Sequence, residues 1–208
     1  MKMKETINIC YIDDRIDYIL DKYLDEYCKK QNEENEYGYQ LKFTDYEFEL
    51  TDNYKTLLSN NLINQANIIV IDSRLFENEN SSLSKFTGEQ FKIILRQILP
   101  FIKTIVISQN DSASDSLTIR KFKSTNSDQS SQEYYNKYLE PALKQNIIAT
   151  IEEHQILNQL TLENEVDSLL IGTIQNTISG IRDTALFEKE DLDNLIKLFN
   201  EVKVKYGD

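Results

Sequence analysis

Proline and glycine are scarce in this chain, whose 208 residues include 2 Pro and 5 Gly. This composition argues against long linkers and against an all-β fold, because tight turns depend on these two residues. Hydrophobic residues make up 40% of the sequence, which is enough to bury a real core. The length fits one large domain, or one standard domain with an appendage.

Cysteine and histidine are also rare, with two Cys and one His in the chain. Cys10, Cys28 and His154 are too few and too dispersed to form a zinc site. We expect the two cysteines to be ordinary reduced thiols. His154 lies away from every motif, so we interpret it as a structural residue and not as a phosphohistidine.

Basic residues are fewer than acidic ones, at 23 Lys and Arg against 35 Asp and Glu, for a net charge of −12. Because nucleic-acid affinity comes largely from neutralised phosphates, binding to DNA or RNA is disfavoured, as is binding to an anionic membrane surface. Long apolar runs are missing as well, and the first one is stopped by two aspartates, so neither a signal peptide nor a transmembrane helix is predicted. The expectation is a cytoplasmic globular protein.

Three short apolar runs each end on a side chain that carries oxygen. INICYI is followed by Asp13 and Asp14, NIIVI by Asp72, and TIVI by Ser108. Continuous β-branched runs of this kind are typical of parallel strands buried on both faces, and ligands bind outside the carboxyl ends of such strands. Since carboxylates repel one another, their convergence predicts a divalent cation. In the alternative interpretation they are polar strand ends, with Asp14 capping the next helix.

The remaining pattern alternates between helices and strands. An amphipathic helix is expected just after Asp14, then a partly exposed strand over residues 41–50 with a bulge at Thr44-Asp45, and then a short helix over residues 54–63. Thr87 and Gln90 form a predicted capping box. A last strand is expected in LTIRKFKS, ending at Lys121 or Lys123. This order predicts an α/β fold with a doubly wound, five-stranded parallel sheet.

Beyond about Asp128 the pattern turns helical. One apolar stripe runs from Tyr134 to Ile156 and is interrupted only by Pro141, and two more stripes follow, at residues 169–181 and 192–202. The last 58 residues hold 12 acidic and 5 basic residues, so a helix-turn-helix output domain is not expected. The predicted domains are therefore an α/β domain at 1–127 and a helical extension at 128–208.

The ordered set of an acidic pair, a single Asp, a Ser and a Lys at successive strand ends resembles the receiver domain of two-component response regulators. Leu75, three residues after Asp72, and Gly88, at the start of the next helix, agree with this resemblance. It covers roughly residues 6–150 and implies a flavodoxin-like sheet of the receiver type.

The resemblance also implies roles for these residues. Asp72 would be the phosphoacceptor and a Mg²⁺ ligand, with Asp13, Asp14 and the backbone carbonyl of Arg74 completing the metal site. Ser108 and Lys123, or alternatively Lys121, would contact the phosphoryl oxygens. Phosphorylation would shift the last two strands, which is the switch.

Two departures affect the output surface implied by the resemblance. The segment between Ser108 and the lysine is too short for the family's fourth helix, and Ser124 stands where the family usually has Pro. The leading hypothesis is a phosphoacceptor that receives its phosphoryl group from a histidine kinase or another donor and signals through an effector protein or through self-association, such as dimerisation, of its C-terminal helices. No catalysis is expected beyond its own phosphorylation and dephosphorylation.

Two alternatives remain open at this point. One is a receiver-like interaction or dimerisation module that is not phosphorylated. The other is a Mg²⁺-dependent phosphohydrolase of the haloacid dehalogenase type, although neither CYIDDR nor VIDSR supplies the DxD motif that such enzymes use.

Overall fold

Five parallel strands form the centre of the computed structural model, which describes residues 5–49, 51–52, 54–75, 87–109, 118–124 and 129–162. In chain order, the elements are β1 (Thr6–Asp13), α1 (Tyr18–Glu34), β2 (Gln40–Glu47), α2 (Tyr54–Ser59), α3 (Asn61–Asn64), β3 (Ile68–Asp72), α4 (Gly88–Ile98), β4 (Lys103–Ser108), β5 (Thr118–Arg120), α5 (Ser131–Tyr138) and α6 (Glu140–Leu162).

The strand order in the sheet is β2-β1-β3-β4-β5, and every neighbouring pair is parallel. This is the flavodoxin-like order, so the predicted doubly wound five-stranded sheet is confirmed. The order reverses between β1 and β3, and the crevice at such a reversal is where open α/β sheets bind ligands.

Apolar residues on both faces of the sheet bury it between two layers of helices. One core cluster joins β1, β3 and β4 to α1, α5 and α6, and the other joins the opposite faces of these strands to α2, α3 and α4. The five residues of β3 are all buried, as are the last five of β1. Burial on both faces explains why the sequence shows unbroken apolar runs here and no alternation.

The first helix begins at Tyr18, and its N-cap is Asp17, whose side chain accepts hydrogen bonds from the backbone N–H groups of Ile19 and Leu20. Asp14 is therefore not the cap of this helix, and the alternative interpretation of that residue is wrong. Since Asp17 satisfies the first turn of the helix, the carboxylate of Asp14 is left for another role.

The second strand differs from its prediction in one detail. The register between β1 and β2 is unbroken from Thr6–Gln40 to Asp13–Glu47, so the expected bulge at Thr44-Asp45 is absent. The polar step in the sequence reflects the position of β2 at the sheet edge, where side chains on both faces are partly exposed. The single short helix predicted after it is divided into α2 and α3, since the side chain of Asn60 caps a new helix by accepting from the N–H of Leu62.

The predicted capping box at α4 is present. The Thr87 hydroxyl accepts from the N–H of Gln90, and the Gln90 side chain accepts from the N–H of Thr87. This cap fixes the residue at which α4 begins, next to the end of β3.

Two helices, and not one, occupy the first C-terminal apolar stripe. The chain breaks between α5 and α6, and Pro141 takes the second position of α6, where its missing N–H has no intrahelical partner to lose. Three residues of these helices, and the residue between them, are fully buried in the core cluster with α1 and β1: Tyr135, Leu143 and Ile147, with Leu139 at the break. The boundary at 127/128 stays a prediction, but the helices that follow it pack into the α/β core.

The helices predicted at 169–181 and 192–202 lie outside the described residues, as does most of the connection after Ser108. Within the part of the chain that is described, no helix combines the length and the apolar character needed to cross a bilayer.

Candidate functional site

Three carboxylates meet where β1 and β3 end. Asp13, Asp14 and Asp72 each offer a carboxylate oxygen within 4.8 Å of the others. The cause is the register of the two strands, because Ile12 pairs with Ile71 and the residues that follow leave the sheet side by side. Asp13 and Asp72 are buried and Asp14 is half-buried. The convergence predicted from the sequence is therefore present.

Lys121 supplies the positive charge of this cluster. Its Nζ lies 2.6 Å from Asp13 Oδ2 and 3.5 Å from Asp72 Oδ1, and the residue is only 4% exposed. Its backbone N–H donates to the Ser108 carbonyl at 2.8 Å, so it is still held beside β4 after β5 has ended at Arg120.

Lys123, the lysine preferred from the sequence, is exposed and does not join the cluster. That preference was wrong because β5 ends at Arg120. The first residue after the strand, Lys121, is still held beside the end of β4, and Lys123 lies two residues farther along the chain. Lys121, the alternative, takes the position.

Ser108 lies at the end of β4 with its side chain beside β3. Its Oγ accepts a hydrogen bond from Ser73 Oγ at 2.8 Å, and both residues are buried. A hydroxyl that accepts from one group can still donate its own hydrogen to another, so this pair can present a donor to an anionic oxygen. Ser73 was not among the residues predicted from the sequence. Its only signal is its place directly after Asp72.

Tyr11 is a second residue that the sequence analysis missed. It is fully buried on β1, and its hydroxyl donates to Asp13 Oδ2. The Tyr11 hydroxyl oxygen in turn accepts from the N–H of Asp17 at 3.4 Å. Residues two apart on a strand share a face, so a tyrosine two positions before Asp13 was detectable from the strand period. It links the carboxylate cluster to the N-cap of α1.

The charges in this cluster do not cancel. Burial raises the pKa of Asp72 to about 7, the Lys121 ammonium opposes this shift, and Asp13 and Asp14 add to it. Burial also raises the pKa of Asp14, and so does Asp13, whose carboxylate accepts a hydrogen bond from the protonated form of Asp14. Three carboxylates and one ammonium leave a charge of −2 when all are ionised, which a divalent cation would neutralise.

The donor atoms suit a hard cation. Asp13 Oδ2 is already engaged by Tyr11 and Lys121, which leaves Oδ1 of that carboxylate, an acceptor of a long 3.3 Å contact from the N–H of Arg15. Asp72 Oδ1 is buried and has no hydrogen-bond partner, since the Lys121 ammonium at 3.5 Å forms only a long ion pair with it. A carboxylate oxygen this poorly satisfied in a buried oxygen-rich cluster fits a metal ligand, and the described residues can therefore hold a divalent ion.

Arg74, whose carbonyl is a predicted ligand, pairs with Thr87 in an isolated antiparallel bridge. This bridge holds the backbone just after Asp72 against the start of α4. The role of the carbonyl as a metal ligand stays a prediction.

Gly88 makes the close approach between α4 and Asp72 possible. A Cβ at this position would lie 2.3 Å from the Asp72 carbonyl oxygen, and the Gly88 N–H donates to the Ser73 carbonyl at 3.1 Å.

Gly88→Ala is expected to push α4 away from the end of β3, because the clash is with backbone that cannot rotate aside. We predict a loss of roughly 1–3 kcal/mol in the free energy of unfolding, measured by urea denaturation, with weaker divalent-ion binding. Gly38 is the matched control. Its φ of 69° makes Gly38→Ala costly too, but that residue is remote from the cluster, so metal affinity should be unchanged. Unaltered stability and affinity in Gly88→Ala would contradict the close approach.

Tyr11→Phe is expected to loosen Asp13 while leaving the ring in place. Removing the hydroxyl deletes the hydrogen bond to Asp13 and the acceptor for the Asp17 N–H. We predict a loss of about 1–2 kcal/mol in stability, since the buried carboxylate loses a donor, and a several-fold change in Mg²⁺ affinity measured by calorimetry. Tyr27→Phe, whose hydroxyl contacts Tyr37 and not the cluster, should leave the affinity unchanged. Equal affinities in Tyr11→Phe and wild type would show that Tyr11 only fills space.

The sequence matches no family model, and neither the curated proteins nor the solved structures include one with significant similarity to it.

Proposed function

We propose that this protein is a phosphoacceptor of the receiver type, which accepts a phosphoryl group on Asp72 with the help of Mg²⁺. The observation that carries the proposal is the placement of the buried Lys121 ammonium between Asp13 and Asp72, 3.5 Å from an Asp72 oxygen that no closer donor satisfies.

The chemistry follows from the arrangement. An Asp72 carboxylate oxygen would attack the phosphorus of a phosphohistidine or a small acyl phosphate, form a P–O bond and release the imidazole or the carboxylate of the donor. Bound Mg²⁺ would screen the negative charges of the carboxylate and the phosphoryl group as they approach. Asp14 and Asp72 are the residues best placed to bind it directly, with Asp13 reaching it through Oδ1 or through water.

The remaining polar groups would hold the new phosphoryl oxygens. Ser108, supported by Ser73, would donate a hydrogen bond, and Lys121 would act as a counter-charge. Because the modification adds about −1.5 to −2 charge at this edge, Ser108 and Lys121 would be drawn toward it. These residues lie at the ends of β4 and β5, so that edge would move and alter contacts with a protein effector.

Incubation with acetyl phosphate and Mg²⁺ tests this proposal. The expected result is the mass of one phosphoryl group on the intact protein, mapped to the peptide that contains Asp72 and not formed when Mg²⁺ is chelated before the donor is added. Asp72→Asn should give no adduct. Asp45→Asn, which changes a carboxylate of the edge strand, is the matched control and should be modified like wild type. Wild-type protein that binds Mg²⁺ but forms no adduct with acetyl phosphate or with a phosphorylated histidine kinase would overturn the proposal. It would then favour the interaction module without phosphorylation.

A further inference from the structure

A groove opens between α4, β4 and the start of α6, away from the carboxylate cluster. Its volume is about 630 Å³, and its lining includes Arg96, Lys103, Ile105, Ile119, Tyr138 and Ala142; we call it the β4–α6 groove. The residues of β4 that line the groove are Lys103, Thr104 and Ile105, the first half of the strand, whereas Ser108 of the proposed phosphoacceptor site ends it.

Among the described residues, the lining of the β4–α6 groove includes apolar and basic side chains and no acidic one. The basic residues are Lys92, Arg96 and Lys103, and Lys103 is paired with Glu153 of α6. Tyr138, at the rim, is 45% exposed. With Glu153 counted, the charge around the groove is still positive in a chain with a net charge of −12, which favours an anionic, amphipathic occupant.

We propose that residues 163–181 of the same chain dock in the β4–α6 groove. This segment contains Glu163, Glu165 and Asp167 and no basic residue. Its apolar residues recur at helical spacing: Leu169, Leu170, Ile174, Ile178 and Ile181. An acidic start followed by an apolar stripe complements a groove with basic side chains and an apolar floor.

The length of the chain permits this return. Glu153 contacts Lys103, so α6 extends nine residues past this level to Leu162, which is about 14 Å of helix. Residues 163–168 can span up to about 20 Å when extended, enough to reverse direction. Residues 169–181 would cover about 20 Å as a helix, which matches the six residues of β4.

Because the segment is covalently attached, docking needs no second molecule and is favoured by a high effective concentration. The docked segment would lie against Ile119, which is half-buried on β5, the strand that leads to Lys121. This inference does not depend on phosphorylation, and it holds or fails independently of it.

A tryptophan probe in the full-length chain tests the proposal. The sequence contains no Trp, so Tyr138→Trp places a single fluorophore at the rim of the groove. In this background Ile174→Asp with Ile178→Asp should shift the emission to the red and raise acrylamide quenching severalfold, because the segment leaves the groove. Leu195→Asp with Phe199→Asp is the matched control, with the same change of charge farther along the chain, and should leave quenching unchanged.

Hydrogen exchange in the chain with its native Tyr138 provides a second test of the docking. Amides of residues 100–106 and 138–146 should exchange severalfold faster in the Ile174→Asp/Ile178→Asp variant, while those of β1 keep their protection. Neutralising Glu163, Glu165 and Asp167 to Gln, Gln and Asn should give a smaller change of the same sign. Quenching and exchange that stay unchanged in the first variant overturn the proposal. Protection that depends on protein concentration also overturns it, because the occupant is then a second copy of the chain.

Discussion

Lys121→Met lowers the free energy of unfolding by about 3–5 kcal/mol in the absence of divalent ions. The substitution keeps most of the volume of the side chain and removes its charge. Asp13 then loses the ammonium at 2.6 Å, and Asp72 loses its nearest cation at 3.5 Å, so two buried carboxylates remain without compensation. Urea denaturation in the presence of a chelator measures this loss.

Two comparisons make this prediction specific. Lys123→Met removes a lysine that is exposed and outside the cluster, so the change should stay within about 0.5 kcal/mol. Saturating Mg²⁺ should recover part of the stability lost in Lys121→Met, since a divalent ion can take over the counter-charge. If Lys123→Met were the more destabilising variant, the assignment of Lys121 to the site would be wrong.

Asp72→Asn is expected to stabilise the metal-free protein at pH 8 by about 1–4 kcal/mol. The pKa of Asp72 is raised to about 7, chiefly by burial and further by Asp13 and Asp14, so its ionised form is unfavourable in the fold. Asparagine keeps the shape and removes the charge. A gain in stability on removal of the proposed phosphoacceptor would show that its buried charge is unfavourable for folding, as is common for functional residues.

The pH dependence follows from the same shift. An aspartate with an ordinary pKa near 3.8 in the unfolded chain and about 7 in the fold binds more protons when folded across that interval. The contribution of Asp72 to stability therefore falls as the pH rises from about 4 to 7, and it levels off above that range. Asp72→Asn should flatten this slope in urea titrations at several pH values. A slope that is the same in both proteins would contradict the raised pKa.

The stabilisation by Mg²⁺ should rise with pH, whereas the stability of the metal-free protein falls. Binding to the ionised carboxylates requires their deprotonation, so the stabilisation by Mg²⁺ should be larger at pH 8 than at pH 6. In Asp72→Asn this stabilisation should be strongly reduced at both pH values.

The central strands of the sheet could be predicted because a strand that is buried on both faces has an unbroken run of apolar residues in the sequence. INICYI, NIIVI and TIVI each became a parallel strand, and the aspartates that end the first two meet as expected. Ser108, at the end of the third, accepts from Ser73, the neighbour of Asp72. The capping box at Thr87 was readable for a similar reason, since it is encoded by two residues three positions apart.

The features of the site that could not be predicted from the sequence depend on contacts between residues that are far apart in the chain. The choice between Lys121 and Lys123 rests on where β5 ends, which is set by its pairing with β4 and not by its own residues. The hydrogen bond from Tyr11 to Asp13 and the one from Ser73 to Ser108 depend on side-chain directions that a one-dimensional pattern shows only weakly. The break between α5 and α6 was marked by Pro141, yet the apolar stripe continued across it.

Fluorine NMR of the protein with beryllofluoride tests the central claim most directly, because this ion forms a tetrahedral mimic of an acyl phosphate on an aspartate. With Mg²⁺ present, wild-type protein should show resonances of bound fluoride that disappear on chelation, are absent in Asp72→Asn and weaken in Ser108→Ala. The contrary result is a wild-type protein without these resonances whose Mg²⁺ affinity is unchanged by Asp72→Asn. The carboxylate cluster would then be a structural feature and not a phosphoacceptor site.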